Sequence, residues 1–253
     1  MRLALSNLAF EYDNFDEVSK ILSDNNINSI EMVFTKISEW DTLTDVKIKN
    51  LKDYLDKKNI TIKSAQSLFY GIICDNINNE KIVIPHFIKL VELSKKLGIE
   101  VLVLGSPTLR KNSPLNSIFA EIDNILNDTG IELSIEPNSK VYGGDYFYNI
   151  DEIVSFIRSN NFNNIKTMID THNIILEDGN PIKILEDNFK YINHIHISEY
   201  GLVPIQNNQF HNEFSKKLKN IEYDGIVTYE LMNSIDLKDE IKIFSQLYGN
   251  SPF

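Results

Sequence analysis

Ile131-Glu132-Leu133-Ser134-Ile135-Glu136 alternates aliphatic and polar side chains with a period of two, the pattern of a strand whose faces meet different surroundings. Ile131, Leu133 and Ile135 share one face, which leaves Ser134 and Glu136 on the other, with Glu136 last. The same phase returns three times downstream. It sets Asp170 at the end of Ile165-Lys-Thr-Met-Ile-Asp170, and His194 and His196 together within Tyr191-Ile-Asn-His-Ile-His-Ile197, His196 being nearer the end. In Ile226-Val-Thr-Tyr-Glu-Leu231 it isolates Glu230 from Val227, Tyr229 and Leu231. Four successive strands therefore each deliver one metal-competent side chain to the same end.

Working outward, strand candidates occur at Arg2 to Leu8, Ser29 to Val33, Ile60 to Gln66 and Val101 to Leu104, followed by Ile131 to Glu136, Ile165 to Asp170, Ile192 to Ile197 and Ile226 to Leu231. They recur at roughly 30-residue intervals, the length of a βα unit. Between them, segments of helical period cover Asp16 to Asn25, Asp45 to Lys58, Pro85 to Leu97 and Leu115 to Asn127, then Ile150 to Asn160, Ile182 to Asn188, Asn212 to Lys219 and Leu237 to Tyr248. Pro85, Pro114 and Pro181 are read as prolines of a first helical turn. Eight alternating units predict an α/β fold with a parallel sheet. An open doubly wound sheet would normally announce a nucleotide with a glycine-rich first turn, whereas this one reads Ser6-Asn-Leu-Ala-Phe10. The expectation is a single (β/α)8 TIM barrel spanning residues 1–253, for no linker or shift in composition divides the chain.

With 42% hydrophobic and 24% charged residues among 253, the chain can bury a sizeable core. A formal net charge of −11 disfavours nucleic acid, whose recognition leans on clustered Lys and Arg. The arginines are Arg2, Arg110 and Arg158. One cysteine, Cys74, permits no internal disulfide, the opening residues lack a signal pattern, and no apolar run is long enough for a membrane helix. A cytoplasmic location with no membrane partner is the default.

Barrel enzymes keep their chemistry at the carboxyl end of the strands. Glu136, Asp170 and Glu230 would raise one another's pKa if crowded there, and a divalent cation resolves the conflict. A lone strand-end glutamate is ordinarily a solvated loop residue; the shared phase on four strands is what separates this set from that ordinary case. Three carboxylates with His196 are an oxygen and nitrogen set suited to Mn2+, with Mg2+, Co2+ and Zn2+ as other candidates.

At these residues the chain resembles the xylose isomerase-like TIM barrels, the sugar phosphate isomerase/epimerase superfamily, over nearly its whole length. The resemblance is carried by Ser29-Ile-Glu31, Ala65-Gln-Ser-Leu-Phe69, Leu104-Gly-Ser-Pro107 with Arg110, Ile135-Glu-Pro-Asn138, Ile169-Asp170, His194-Ile-His-Ile-Ser-Glu199 and Tyr229-Glu-Leu-Met232. It implies that Glu136, Asp170, His196 and Glu230 are the ligands of one metal ion, and that Glu136 and Glu230 also act as the acid/base pair. The activity implied is isomerisation or epimerisation of a sugar, sugar phosphate or related ketone by proton abstraction and enediolate formation. Two departures leave the substrate open. Ketose 3-epimerases place a histidine three residues after the sixth-strand Asp, where this chain has Asn173 preceded by His172; their arginine shortly after Glu199 is missing.

Further substrate contacts are expected from Glu31, Gln66, Arg110, His172, Asn173, His194, Glu199 and His211. Arg110 should hang over the mouth as a clamp for phosphate or carboxylate, or else be a surface arginine. His194, deeper, also reads as a hydrogen-bonded residue behind the site. His211 closes the loop Ser198 to Phe210 and reads equally as a helix cap, while Phe34 and Trp40 are wall candidates. A metal-dependent dehydratase or lyase on a polyol-derived ketone begins with the same proton abstraction. An abasic-site endonuclease would need more histidines and a basic groove, with His86 a poor ligand, and a non-catalytic sugar-binding barrel is the remaining alternative. Association into a homo-oligomer is expected by analogy alone.

Overall fold

The computed structural model describes residues 1–249 apart from Asn233 and Ile235. Eight parallel strands close in chain order into one barrel: β1 (Arg2–Ser6), β2 (Ser29–Val33), β3 (Thr61–Gln66), β4 (Val101–Leu104), β5 (Glu132–Ile135), β6 (Ile165–Asp170), β7 (Ile192–Ile197) and β8 (Ile226–Tyr229), with β8 returning to β1. The expected (β/α)8 class is what the chain adopts. The outer helices are α1 (Phe15–Asp24), α2 (Asp45–Lys57), α3 (Glu80–Leu97), α4 (Asn116–Leu126), α5 (Ile150–Asn160), α6 (Thr171–Leu176), α7 (Pro181–Asn188), α8 (Gln209–Asn220) and α9 (Leu237–Tyr248).

The period-two reading of the strands corresponds to two separate cores. Leu133, Ile135, Ile169, Ile195, Val227 and Tyr229 pack outward into the large core beneath the helices. Ala4, Val101, Val103, Met168 and Ile226 form a small plug inside the barrel. That plug fills the lower barrel, so the polar residues above it lie on a packed floor. Register then brings the site into line, with Asp170 opposite His196 and His196 opposite Thr228.

Helix ends follow side-chain chemistry. Asn149 accepts from the Glu152 amide and Asn208 from that of His211, while Asn180 caps α7 just before Pro181. Gly98 and Asn161 end α3 and α5 in the left-handed region.

Several boundaries differ from the sequence expectation, among them the start of α8, at Gln209 and not Asn212. Helix α3 begins at Glu80, so Pro85 lies inside it. Proline is accepted there because Pro85 is on the exposed side of the helix, where the Lys81 carbonyl left without an amide partner can be solvated. Helix α6, absent from the expectation, is a short element started by the Asp170 side chain, which accepts from the Asn173 amide. Strands β1 and β8 stop at Ser6 and Tyr229, and β5 at Ile135, so Glu136 and Glu230 stand one residue beyond their strands.

Because Pro85 faces outward, Pro85→Ala should restore one helical hydrogen bond without losing core packing. A gain of about 1 kcal/mol is expected, read as a higher urea midpoint with unchanged slope.

Candidate metal centre

Glu136, Asp170, His196 and Glu230 each place a ligand atom within 4.8 Å of all the others, close to the span of donors lying roughly 2.1 Å from one shared ion. His196 Nδ1 lies 3.3 Å from Glu230 Oε2 and 3.9 Å from Asp170 Oδ2. The imidazole is wholly buried and neither ring nitrogen makes a well-formed hydrogen bond; Nε2 lies against Glu31, while Nδ1 faces the carboxylates, as a ligating nitrogen would. The donor set and this orphaned atom fit a divalent cation.

Glu136, Asp170 and His196 are held from behind. Asp170 Oδ1 accepts from the Asn173 amide at 2.7 Å and from Ser198 Oγ at 2.9 Å, which leaves Oδ2 to face the centre. Thr171 and Ser198 lock together, Thr171 Oγ1 donating to the Ser198 carbonyl and receiving the Ser198 amide. Asn173 Nδ2 donates to Glu136 Oε1 at 3.3 Å. His196 Nε2 lies 2.8 Å from Glu31 Oε1, and His194 Nε2 lies 2.7 Å from Glu31 Oε2, which also accepts from Ser64 Oγ at 2.6 Å. Carrying its proton on Nε2 toward Glu31 leaves His196 Nδ1 free to ligate.

Gly105, at the end of β4, makes room for Glu136. A Cβ there would sit 2.4 Å from Glu136 Oε2.

Electrostatics follow from burial. Glu136 is pushed up to about 8 by burial and by the Asp170 charge. Asp170 is raised by burial and by Glu230. Burial opposes a low value for Glu31, yet His196 and His194 hold it well below the usual carboxylate range. His196 is raised despite its burial, because Glu31 and Glu230 flank it.

The remaining expected contacts fall into different places. Gln66 lies at the mouth and donates to Ser6 Oγ. His172 Nε2 pairs with Tyr142 Oη at 3.1 Å and its ring meets Tyr200 edge-on. Glu31 and His194 are completely buried, so they brace His196 from below instead of facing the mouth. Arg110 corrects the expectation of a clamp: it is only 2% exposed, and its guanidinium donates to the Leu104 carbonyl at 2.7 Å and the Phe147 carbonyl at 3.4 Å. Burial lowers it to about 10. The loop after β4 folds back, which turns Arg110 under the surface where it ties two loops together. His211 is inside α8, whose cap is Asn208, and its ring bridges Glu199 at 2.9 Å and Tyr248 at 2.6 Å. Phe34 and Trp40 are packed in the core, and His86 is fixed to the Leu68 carbonyl.

Sequence reasoning passed over Ser198, Tyr142 and Gly105 as members of the site. Gly105 carried a signal as a glycine directly after a strand, and Ser198 as the residue that continues the inward phase of His194 and His196 one step past β7; Tyr142 is a loop residue whose direction no periodicity sets.

The family model of the xylose isomerase-like TIM barrel matches residues 20–247. Among solved structures, the chain is similar to 3-keto-D-glucoside 4-epimerase of E. coli, with 16% identity over 98% of each chain and a TM-score of 0.76. An AP endonuclease, family 2, from Brucella melitensis aligns at 16% identity over 97% of this chain and 99% of that one, TM-score 0.78. A probable 3-DHS dehydratase from Bacillus anthracis aligns at 14% over 99% of each, TM-score 0.69. At these identities the likeness is one of fold. No curated protein matches the chain.

Two outcomes follow from the geometry. Gly105→Ala should displace only the flexible end of Glu136, weakening Mn2+ binding on the order of tenfold in titration calorimetry while barely moving the Tm of the metal-free protein. Glu136 sits near 8 when folded against an ordinary 4.5, so its protonated form favours the fold and that contribution fades as pH rises toward 8. His196 and Asp170, also raised, act in the same sense. The Tm of metal-free protein should therefore fall as pH rises from about 4.5 to about 8, and saturating Mn2+ should abolish the fall.

Proposed function

Since the chain belongs to the xylose isomerase-like TIM barrel family, we propose that it is a divalent-metal-dependent enzyme that isomerises or epimerises a carbohydrate at a carbon beside a carbonyl. One observation carries this reading: Glu136 and Glu230, from strands β5 and β8, converge on the same buried His196 and Asp170. Structures of similar fold include a sugar epimerase and a probable dehydratase, so an enzyme acting on small polyhydroxylated substrates fits the surroundings of the chain.

A divalent ion held by the four residues would supply Lewis acidity to a neighbouring carbonyl and balance the negative charge of an enediolate. The chain's own groups do the rest. Glu136 and Glu230 flank the substrate, one removing the proton and the other returning it from the opposite face. Asn173 orients the Glu136 carboxyl, Ser198 and the Asn173 amide fix Asp170, and Glu31 holds the His196 tautomer.

An endonuclease reading has little to draw on. His86, His172 and His211 are each engaged away from the four ligands, and Arg110 is buried. A dehydratase has one observation in its favour. Tyr142 Oη pairs with His172 Nε2 at 3.1 Å, and burial and the Asp170 charge keep the phenol protonated, so it can donate a hydrogen bond to a substrate hydroxyl.

Solvent deuterium incorporation into a panel of ketoses and keto-sugars with Mn2+ tests the proposal, and product analysis separates epimer from dehydrated ketone. Glu136→Gln and Glu230→Gln should each lower exchange by about 10²–10⁴-fold while the sugar still binds. Near-normal exchange by either variant would refute its role. Glu31→Gln should instead weaken Mn2+ binding about 10–100-fold and leave turnover at saturating Mn2+ much closer to normal.

A further inference from the structure

From Glu136 a cleft of about 330 Å³ runs outward between the ends of β3 and β4. Gln66, Ser67, Ser106 and Thr108 are its polar lining, and Phe69, Tyr70, Ile72, Cys74 and Leu109 form an apolar wall that extends from the buried Phe69 outward to the exposed Tyr70. Among the described residues that line it, Glu136 is the sole carboxylate and there is no Lys, Arg or His.

Two of the polar residues hold strained backbones. Ser67 has φ 55° and Ser106 φ 49°, each just past its strand in the left-handed region that side-chain-bearing residues rarely adopt. The two serines follow neighbouring strands and both line the cleft.

Cations on the loops that follow the strands are committed elsewhere. Lys36 pairs with Glu11 at 2.6 Å, Lys111 donates to the Gly143 carbonyl, Lys140 lies 5.1 Å over the Tyr148 ring, and Arg110 is buried under its loop. A phosphomonoester, carrying close to two negative charges, would enter beside a carboxylate with no counter-ion from the cleft. An uncharged ring has no such penalty, and its apolar face matches the outer wall.

The geometry points to this β3–β4 cleft as the subsite for an uncharged ring attached to the reacting sugar, so that the substrate is a glycoside and not a sugar phosphate. The inference rests on the proposed function only in taking Glu136 as the reacting end.

The molecule carries its own reporters. Cys74, its single cysteine, lines the cleft, and Trp40, its single tryptophan, donates to the Tyr70 carbonyl on the wall. With Mn2+ present, the rate of Cys74 alkylation by iodoacetamide is measured against phenyl β-D-glucoside, cellobiose and glucose 6-phosphate. One or both neutral compounds should slow alkylation, roughly tenfold at about ten times Kd, with a parallel change in Trp40 emission, and glucose 6-phosphate should not. The stronger of the two neutral protectors tells an aryl group from a second sugar ring. Protection by glucose 6-phosphate equal to or better than that by the neutral compounds overturns the inference, as does no protection by either neutral ring. In Ile72→Trp, which fills the outer cleft, protection by the neutral rings should be lost; retained protection would place them elsewhere and overturn the assignment. Deuterium exchange reports separately on the chemistry: exchange without protection sinks the subsite alone, and protection without exchange sinks the proposed function alone.

Discussion

Three carboxylates and an imidazole share the mouth of a barrel whose floor is already packed, and that crowding is the constraint around which the rest of the site is organised. Asp170, His196 and Glu230 are buried on top of a plug of Val101, Val103, Met168 and Ile226, so water reaches the set only from the side of the half-buried Glu136. Protonation relieves it in part, which is why Glu136 and Asp170 rise. A divalent cation relieves it more fully, at the cost of nothing the scaffold must rearrange. The surrounding hydrogen bonds point the same way: Ser198 and the Asn173 amide occupy one oxygen of Asp170 and leave the other facing inward.

The buried Glu31 shows how far this organisation reaches below the mouth. A carboxylate sealed at the level of β2 is unfavourable unless its charge is matched, and here Ser64, His194 and His196 surround it. For stability alone, an aliphatic residue of similar size would serve at least as well. Its position makes sense through His196, whose proton it draws to Nε2. Nδ1 is thereby left bare toward Glu136, Asp170 and Glu230. Strand order puts β2 two places from β8 around the closed barrel, so residues distant in sequence act on one imidazole from beneath and above.

What could be read in the chain beforehand, and what could not, divides along the line between strand and loop. On a strand, alternation fixes which way a side chain faces, so Asp170 and His196 were legible from Ile169, Ile195 and Ile197 alone. Glu136 and Glu230 lie one residue past their strands but still continue the strand phase, which is why counting reached them. Beyond that point the rule stops. Arg110 sits six residues after Leu104, on a loop that turns back on itself, and its guanidinium goes to the Leu104 and Phe147 carbonyls. His211 was misplaced because α8 starts at Gln209, earlier than its apolar period begins, with Asn208 as its cap. Gly105 was visible as a glycine, but its purpose depends on where Glu136 Oε2 ends up, a contact between two strands that neither strand's own pattern contains.

The same division separates chemistry from choice of substrate. The four candidate ligands and Glu31 are carried by or directly adjoin strands of a closed barrel, where a change of one residue would disturb both cores at once. The cleft beside Glu136 is built from Ser67, Tyr70, Ile72, Ser106 and Leu109, all on two loops whose backbone is already strained at both serines. Loop residues can change without unseating the strands, whereas the floor cannot. A fold shared with an epimerase and a probable dehydratase accords with that division, because the barrel can be kept while the walls above it are redrawn. In this chain the walls were drawn without a free cation among the residues that line the cleft, with Arg110 turned inward to brace the loops. The arginine nearest the cleft in sequence is thus spent on the Leu104 and Phe147 carbonyls and does not line it.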